Sequence, residues 1–326
     1  MVILPQFGAD KFSGFTRSTG NCADIDSCAG IIHIALLECN GRQRIMGREF
    51  FITDVFYEGD FGGNQLATVT QAEGLSGKDM QNIAREFNFS ETTFLLGGNS
   101  EQGFDVRIFT PKDELPFAGH PTLGTAFIIR EFVGKQDLDR VELNLGVGKI
   151  PVTFADDGVL WMKQQSPAFG DAIPRDQVAQ SLGLQLSDIH EDYPSRFVST
   201  GLEFLLVPLT SMAALKQCEL IKAFGLGTFV FTPGGYISAQ SISARMFAGG
   251  AGITEDPATG SANGCLASYL VEHEFLGVSE IDIQVGQGYE INRASTLYLR
   301  ASKQAGEFDI NVGGRVSLFA RGELLV

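Results

Sequence analysis

The chain has 326 residues, of which 44% are hydrophobic and 19% charged, and its formal net charge is −15. That length predicts about two domains with a core large enough to need no disulfide or metal staple. The acidic balance excludes nucleic acid or an anionic membrane as the main partner, but leaves a small anionic ligand open, because local backbone dipoles decide that.

Residues 1–47 show no sustained helical or strand period and are expected to be a poorly ordered extension or a start placed too early. The apolar run GIIHIALL at 30–37 is too short for a membrane span and lacks the basic flank of a signal peptide. The five cysteines, Cys22, Cys28, Cys39, Cys218 and Cys265, are odd in number and contain no C-x-x-C. That pattern predicts a reducing cytoplasm rather than a disulfide framework.

From Met46 onward the pattern sharpens. Phe51, Thr53, Val55 and Tyr57 alternate with Ile52, Asp54 and Phe56, which predicts a strand. A turn and a second strand follow at 62–70. LSGKDMQNIAREF at 75–87 predicts a helix with Ser76 as N-cap and Met80, Ile83, Ala84 and Phe87 on one face. Strands are expected at 92–96 and 104–110, a helix over about 121–133, and strands again up to 164. The second half predicts helices at 175–184, 212–218 and about 259–274. Strands are expected over 196–210, at GTFVFTP and SISARMF, and in four closing segments. Many strands with a few Gly-led helices predict an α+β fold in two similar lobes.

A repeat supports the duplication. His120-Pro-Thr-Leu-Gly-Thr-Ala126 and Asp256-Pro-Ala-Thr-Gly-Ser-Ala262 share one pattern at an offset of 136 residues. Upstream, Arg107-Ile-Phe109 and Arg245-Met-Phe247 match at an offset of 138. Each pattern opens an expected helix. Helix N-termini leave N–H groups unpaired and carry partial positive charge, so each is a candidate carboxylate or phosphate site. Thr122, Thr125, Thr259 and Ser261 can cap or donate there. The plainer reading is two well-capped central helices; two related copies favour a shared cleft.

The strings SETTF, ELPFAGHPT and EDPATGSA, with ITDVF, GGNQLATV, STGLEFLLVPL and GGRVSLFARGELLV, carry a resemblance over residues 48–326. The chain resembles the PhzF-like proteins of phenazine biosynthesis, relatives of diaminopimelate epimerase. The resemblance implies a diaminopimelate epimerase-like α+β fold of two pseudo-symmetric lobes, each a curved, mostly antiparallel sheet around one central helix. The lobes are expected at 48–165 and 166–326, with the last strand free to cross to the first. Relatives usually begin near ITDVF, which fits the reading of 1–47 as an extension. A homodimer without a cofactor is implied, with the active site between the lobes.

The epimerase relatives use two cysteines at the helix starts. Here the matching positions hold no cysteine; His120 and Asp256 stand at the helix entrances and Cys265 about a turn into its helix, which disfavours a two-thiol racemase. In PhzF-like members the Glu of SET is the acid/base, which is Glu91 here. The match therefore implies Glu91, His120 and Asp256 as catalytic residues. It implies Asn64, Gly119, Gly260, Ser261 and Gly201 as substrate-binding. Taken without the resemblance, Glu91 reads as a solvated loop carboxylate, His120 as a structural histidine among only four, and Asp256 as a helix cap. One departure stands at Gln65, where the family more often has Pro after the Asn, leaving the loop shape there open. The implied reaction is a cofactor-independent proton shift on a small unsaturated or cyclic amino or hydroxy carboxylic acid.

Rival readings fit less well. GSANG has the wrong order for a nucleophile elbow, no spacing predicts a metal site, and no G-x-G-x-x-G opens a helix after a strand. The alternative from another class is a small-molecule-binding or regulatory protein that keeps the cleft without turnover.

Overall fold

Alternating residues build strand β1 (Arg48–Val55), which pairs antiparallel with β2 (Asn64–Val69). This computed structural model describes residues 47–134, 138–225, 227–249 and 255–326. Apart from Gly47, the expectation for residues 1–47 lies outside the described residues. After β2 come α1 (Gly77–Phe87), β3 (Glu91–Asn99), β4 (Gly103–Phe109) and the short β5 (Glu114–Leu115). Next are α2 (Gly119–Ile128), β6 (Arg140–Leu145), β7 (Gly148–Phe154), β8 (Leu160–Lys163) and β9 (Ala168–Ala172).

Helix α1 starts as its sequence dictates. Ser76 and Asp79 form a reciprocal capping box, each side chain accepting from the other's backbone N–H. Met80, Ile83 and Ala84 are buried along one face, and Asn88 ends the helix in a left-handed conformation with φ 55°. Replacing Ser76 by Ala is expected to cost about 1 kcal/mol. The check is a lower urea midpoint; Ser76 lies at the opposite end of α1 from the Asn88 cap, so the chain beyond that cap is left unchanged.

The second set repeats the first. After α3 (Arg175–Ser181) come β10 (Arg196–Ser199), β11 (Glu203–Pro208), α4 (Met212–Gln217), β12 (Gly227–Pro233) and β13 (Ile242–Ala248). Then follow α5 (Gly260–Glu272), β14 (Glu280–Gln287), β15 (Ser295–Gln304), β16 (Glu307–Gly314) and β17 (Val316–Leu324). Parallel pairs fall at matching places, β2–β3 and β4–β6 against β11–β12 and β13–β14. The sets join where β8 pairs with β16. The trailing strands are exchanged. β9 follows the first set but pairs with β10, and β17 follows the second but pairs with β1.

Helices α2 and α5 are the centres. Every residue of α2 except Phe127 is buried, and every residue of α5 except Glu272. A helix without a polar face has to be surrounded. α2 packs on β1, β2, β3, β6, β7 and β8, and α5 on β10, β11, β14, β15 and β16. Gly124 permits the approach to β2, because a Cβ there would lie 2.5 Å from Leu66 Cδ2.

Several details differ from the sequence expectation: β5 is not among the expected strands, the strand expected over 196–210 is divided into β10 and β11, and Phe87 is not among the buried residues of α1. α2 starts at Gly119, ahead of Pro121, because a first-turn proline lacks only an N–H that would be unpaired anyway. It passes into one π turn at Ile129–Val133. Strand β9, sequence AFGDA, lies outside the expected elements; it has no apolar alternation and exists through its ladder to β10.

The repeat is real, but its register moves. The helix starts equate Gly119 with Gly260, and hence Pro116 with Pro257 and Glu114 with Glu255. His120 thus lies in the first turn of α2, while Asp256 lies ahead of α5. The Arg-x-Phe match keeps its meaning. Arg107 and Arg245 each make the same two bonds, Nε to Oε1 and Nη2 to Oε2, with Glu114 and Glu255 respectively. Each guanidinium also lies over the ring two residues on, Phe109 or Phe247. No helix among the described residues is long and apolar enough to cross a membrane.

Candidate active site

The first three residues of β2 gather the site. The Asn64 amide donates to Asp256 Oδ1 at 2.9 Å and to the Ala258 carbonyl at 3.0 Å. The Gln65 carbonyl accepts a hydrogen bond from the His120 ring. Leu66 sits opposite Glu91 in the parallel β2–β3 ladder. One strand start therefore ties together three segments far apart in sequence.

Glu91 is the first residue of β3, just after the left-handed cap at Asn88. Its side chain is 17% exposed, and Oε2 lies 3.4 Å from His120 Nε2. Neither of those two buried atoms has a hydrogen-bond partner. The Gln65 backbone bond falls to the other ring nitrogen, Nδ1, because Nε2 has no partner. Burial pushes the imidazole down to about 3, with the Gln65 bond opposing, so the ring is neutral. Burial pushes the Glu91 carboxyl up to about 8, and the nearby Asp256 charge adds to it. The contact is thus no ion pair near neutrality. It is a protonated carboxyl facing an unprotonated nitrogen, at a distance longer than a formed O–H···N bond.

Asp256 is held from several sides. Its Oδ1 accepts from Asn64, and its Oδ2 accepts from the Thr259 hydroxyl. Its backbone N–H donates to the Met246 carbonyl at 2.9 Å. Gln287, fully buried at the end of β14, donates from Nε2 to the Asp256 carbonyl at 2.9 Å and to Thr259 Oγ1 at 3.1 Å. Its Oε1 accepts from the Thr259 backbone and the Asn263 amide. Burial pushes the Asp256 carboxyl up to about 6, against the bonds from Thr259 and Asn64.

The two helix starts abut. A Cβ on Gly119 would lie 3.2 Å from the Ser261 nitrogen and 3.3 Å from Gly260 Cα. Neither N-cap residue, Ala118 or Thr259, caps its helix through a side chain, and neither first turn contains an acidic residue. The positive ends of both helices therefore converge beside Glu91's neighbour His120, with no acidic residue inside either first turn.

Of the expected residues, Glu91, His120, Asn64 and Asp256 come together through these contacts, and Gly119, Gly260 and Ser261 meet at the helix starts. Gly201 lies in the turn from β10 to β11 with φ 127°, between Thr200 and Leu202, which both touch Cys265 of α5. Gln65 needs no proline for its role, since the carbonyl does the work and Pro would supply the same group. Cys265 lies further along α5, its thiol beside Thr200 and pushed up to about 11 by burial, so it supplies no thiolate. No cluster of three or more metal-ligating side chains exists among the described residues.

Sequence reasoning missed Gln287 and the Glu255 partner of Arg245. A signal for the first was present. Gln287 precedes Gly288, whose φ of 78° and close approach to Pro257, with a Cβ only 2.6 Å from its carbonyl, require glycine.

Comparison with known proteins follows the same residues. A family model described as phenazine biosynthesis-like protein, PhzC-PhzF, matches residues 53–322. A trans-2,3-dihydro-3-hydroxyanthranilate isomerase of Pseudomonas aeruginosa is 34% identical over 84% of this chain and 98% of its own length. The crystal structure of a PhzF-family phenazine biosynthesis protein from Bacillus anthracis is similar with TM-score 0.77 and 25% identity, covering 86% of this chain and 99% of that one. A probable proline racemase from Agrobacterium radiobacter shares the fold alone, at TM-score 0.55 and 10% identity over 85% of this chain and 92% of that one.

Proposed function

The chain is an isomerase of the PhzC-PhzF phenazine biosynthesis-like family, and from that premise we propose that it moves a proton between carbons of a small unsaturated or cyclic amino or hydroxy carboxylic acid. The observation that carries the reading is the Glu91–His120 pair, with two buried atoms facing each other and no other partner.

Glu91 takes a proton from one carbon as a carboxylate and returns it to another as a carboxylic acid. A carboxyl pushed up to about 8 does both near neutrality. His120, neutral and fixed by Gln65, accepts a hydrogen bond from the Glu91 carboxylic acid between the two transfers, while the proton stays on Glu91. The substrate carboxylate sits at the converging starts of α2 and α5, where Gly119, Gly260 and Ser261 offer backbone N–H groups. Negative charge spreading toward that carboxylate as the proton leaves is stabilised by the same dipoles. Asp256, oriented by Asn64 and Thr259, binds an amino or hydroxyl group. Gly201 binds substrate from the β10–β11 turn, whose Thr200 and Leu202 pack on Cys265 of α5. No cofactor is required for such a step.

The test is NMR of the protein with 2,3-dihydro-3-hydroxyanthranilate in D2O, the substrate named for the Pseudomonas relative. Isomerisation with solvent deuterium entering a carbon position supports the reading, and binding without exchange indicates a binding protein. A pH series sharpens it. Because the carboxylate form starts the reaction, kcat/KM rises with pH and levels off near pH 8, by about tenfold per unit below that. A flat profile from pH 6 to 8 removes Glu91 as the base.

We also propose lobes at 48–165 and 166–326, a homodimer, and a cytoplasmic location consistent with the free thiols of Cys218 and Cys265. A sedimentation mass of one chain would overturn the dimer.

A further inference from the structure

We propose that Arg245 and Glu255 are positioning residues that set the carboxylate of Asp256, resting on the reading of Asp256 as a substrate-binding group. The two make a bidentate pair, Nε to Oε1 at 3.0 Å and Nη2 to Oε2 at 2.7 Å. Their side chains are only 10% and 6% exposed. Planar fork-to-fork bonding fixes angle as well as distance, which a lysine could not do.

The pair is one half of a two-point clamp. Arg245 and Met246 are consecutive on β13, and Glu255 and Asp256 are consecutive in the turn before α5. Arg245 holds Glu255 by its side chain, and the Met246 carbonyl holds the Asp256 N–H. The remaining Arg245 nitrogen, Nη1, donates to the carbonyls of Leu215, Lys216 and Cys218 at the C-terminal end of α4. The guanidinium is thus anchored on strand, helix end and turn at once. The strand edge dictates where the 255–256 backbone lies, and that backbone aims Asp256 at Asn64.

The counterpart pair shows what is particular here. Arg107 and Glu114 bond through the same atoms, but they are 33% and 44% exposed, where an ion pair contributes little. Its turn leads into His120, which is held separately by Gln65. Asp256 has no place inside a helix, so its turn depends on side-chain anchors, namely Gln287 on one side and Arg245–Glu255 on the other.

Two variants separate reach from charge. Glu255→Asp keeps the charge but shortens the reach by one carbon, and Glu255→Gln keeps the reach but removes the charge. Each is made in the full chain, with melting midpoint and circular dichroism as the fold check. Turnover of 2,3-dihydro-3-hydroxyanthranilate is split into kcat and KM. Hydrogen exchange of the Asn64 side-chain amide, read by NMR, reports the Asp256 contact with no substrate present. Both variants are expected to fold, to lose about tenfold to a hundredfold in kcat with a smaller change in KM, and to exchange the Asn64 amide faster. Folded variants with wild-type kcat and unchanged Asn64 exchange overturn the proposal. If the wild type itself does not turn over this compound, the proposed reaction fails for it, and the Asn64 exchange alone decides the clamp. Unchanged exchange then overturns it and faster exchange upholds it.

Discussion

Glu91→Gln is expected to lower turnover by about a hundredfold to ten-thousandfold, the range a positioned acid/base supplies. Glutamine keeps the shape and the hydrogen-bond reach toward His120 Nε2 while removing the titrating proton. The fold therefore persists, and the variant even gains stability at higher pH. Below pH 4.5, the ordinary value, the carboxyl is protonated in folded and unfolded chains alike. Between 4.5 and about 8 the unfolded chain releases the proton and the folded chain retains it. Wild-type stability from this group is thus present below the lower value and lost as pH rises through the upper, by at most about 1.4 kcal/mol per pH unit. The uncharged amide of the variant suffers no such loss. His120 and Asp256 titrate over overlapping ranges, but they are common to both proteins and drop out of the difference. Urea midpoints at pH 5 and pH 8 check it: the variant's advantage over wild type grows with pH. An advantage that does not change with pH would mean that Glu91 is not buried as a neutral acid, and full activity in the variant would remove it from the chemistry.

Gln287→Leu is the second large effect. This side chain is fully buried and serves four groups: the Asp256 carbonyl, the Thr259 hydroxyl, the Thr259 N–H and the Asn263 amide. Leucine fills much of the space and satisfies none of them. Asn263 keeps its bond to the Thr259 carbonyl, so the main orphans are the Asp256 carbonyl and the Thr259 N–H. At about 1–3 kcal/mol for each buried unsatisfied group, the expected loss is about 3–5 kcal/mol. The melting midpoint should fall by roughly 10 °C. Turnover should fall as well, because the turn that carries Asp256 loses an anchor. A urea midpoint equal to that of wild type would show that water or relaxation replaces Gln287, and that the turn holds itself.

Much of the fold is legible in the sequence, for local reasons. Period-two alternation in ITDVF is enough to make β1, since one face must be covered. Ser76 and Asp79 dictate the start of α1 by satisfying each other's backbone. The small and apolar residues on all sides of α2 and α5, with no charged face, state that both helices must be surrounded, which requires sheets around them. β9 shows the limit: AFGDA has no pattern of its own, and only the exposed edge of β10 makes it a strand. The crossing of β9 is equally invisible, and that of β17 is anticipated only through the family resemblance, because strand neighbours far apart in sequence leave no periodic trace.

The site divides in the same way. Glu91, His120 and Asp256 stand out by their motifs, and each residue type already names the chemistry it can do. Their environment is not written locally. That His120 is neutral with a bare Nε2 depends on the Gln65 carbonyl and on burial; that Glu91 keeps its proton depends on burial and on a charge 165 positions away at Asp256. The sequence repeat aligned His120 with Asp256, because Pro and Gly recur at the same spacing. The helix starts instead align Gly119 with Gly260, because the backbone geometry of the first turn and the contact between the two helices decide equivalence. What the chain determines by itself is therefore the element types, the duplication and the reacting groups, all set by neighbours within a few positions. Protonation state, register of the repeat and aim of Asp256 arise only in the folded molecule, since burial and buried hydrogen bonds are properties of segments brought together from across the chain.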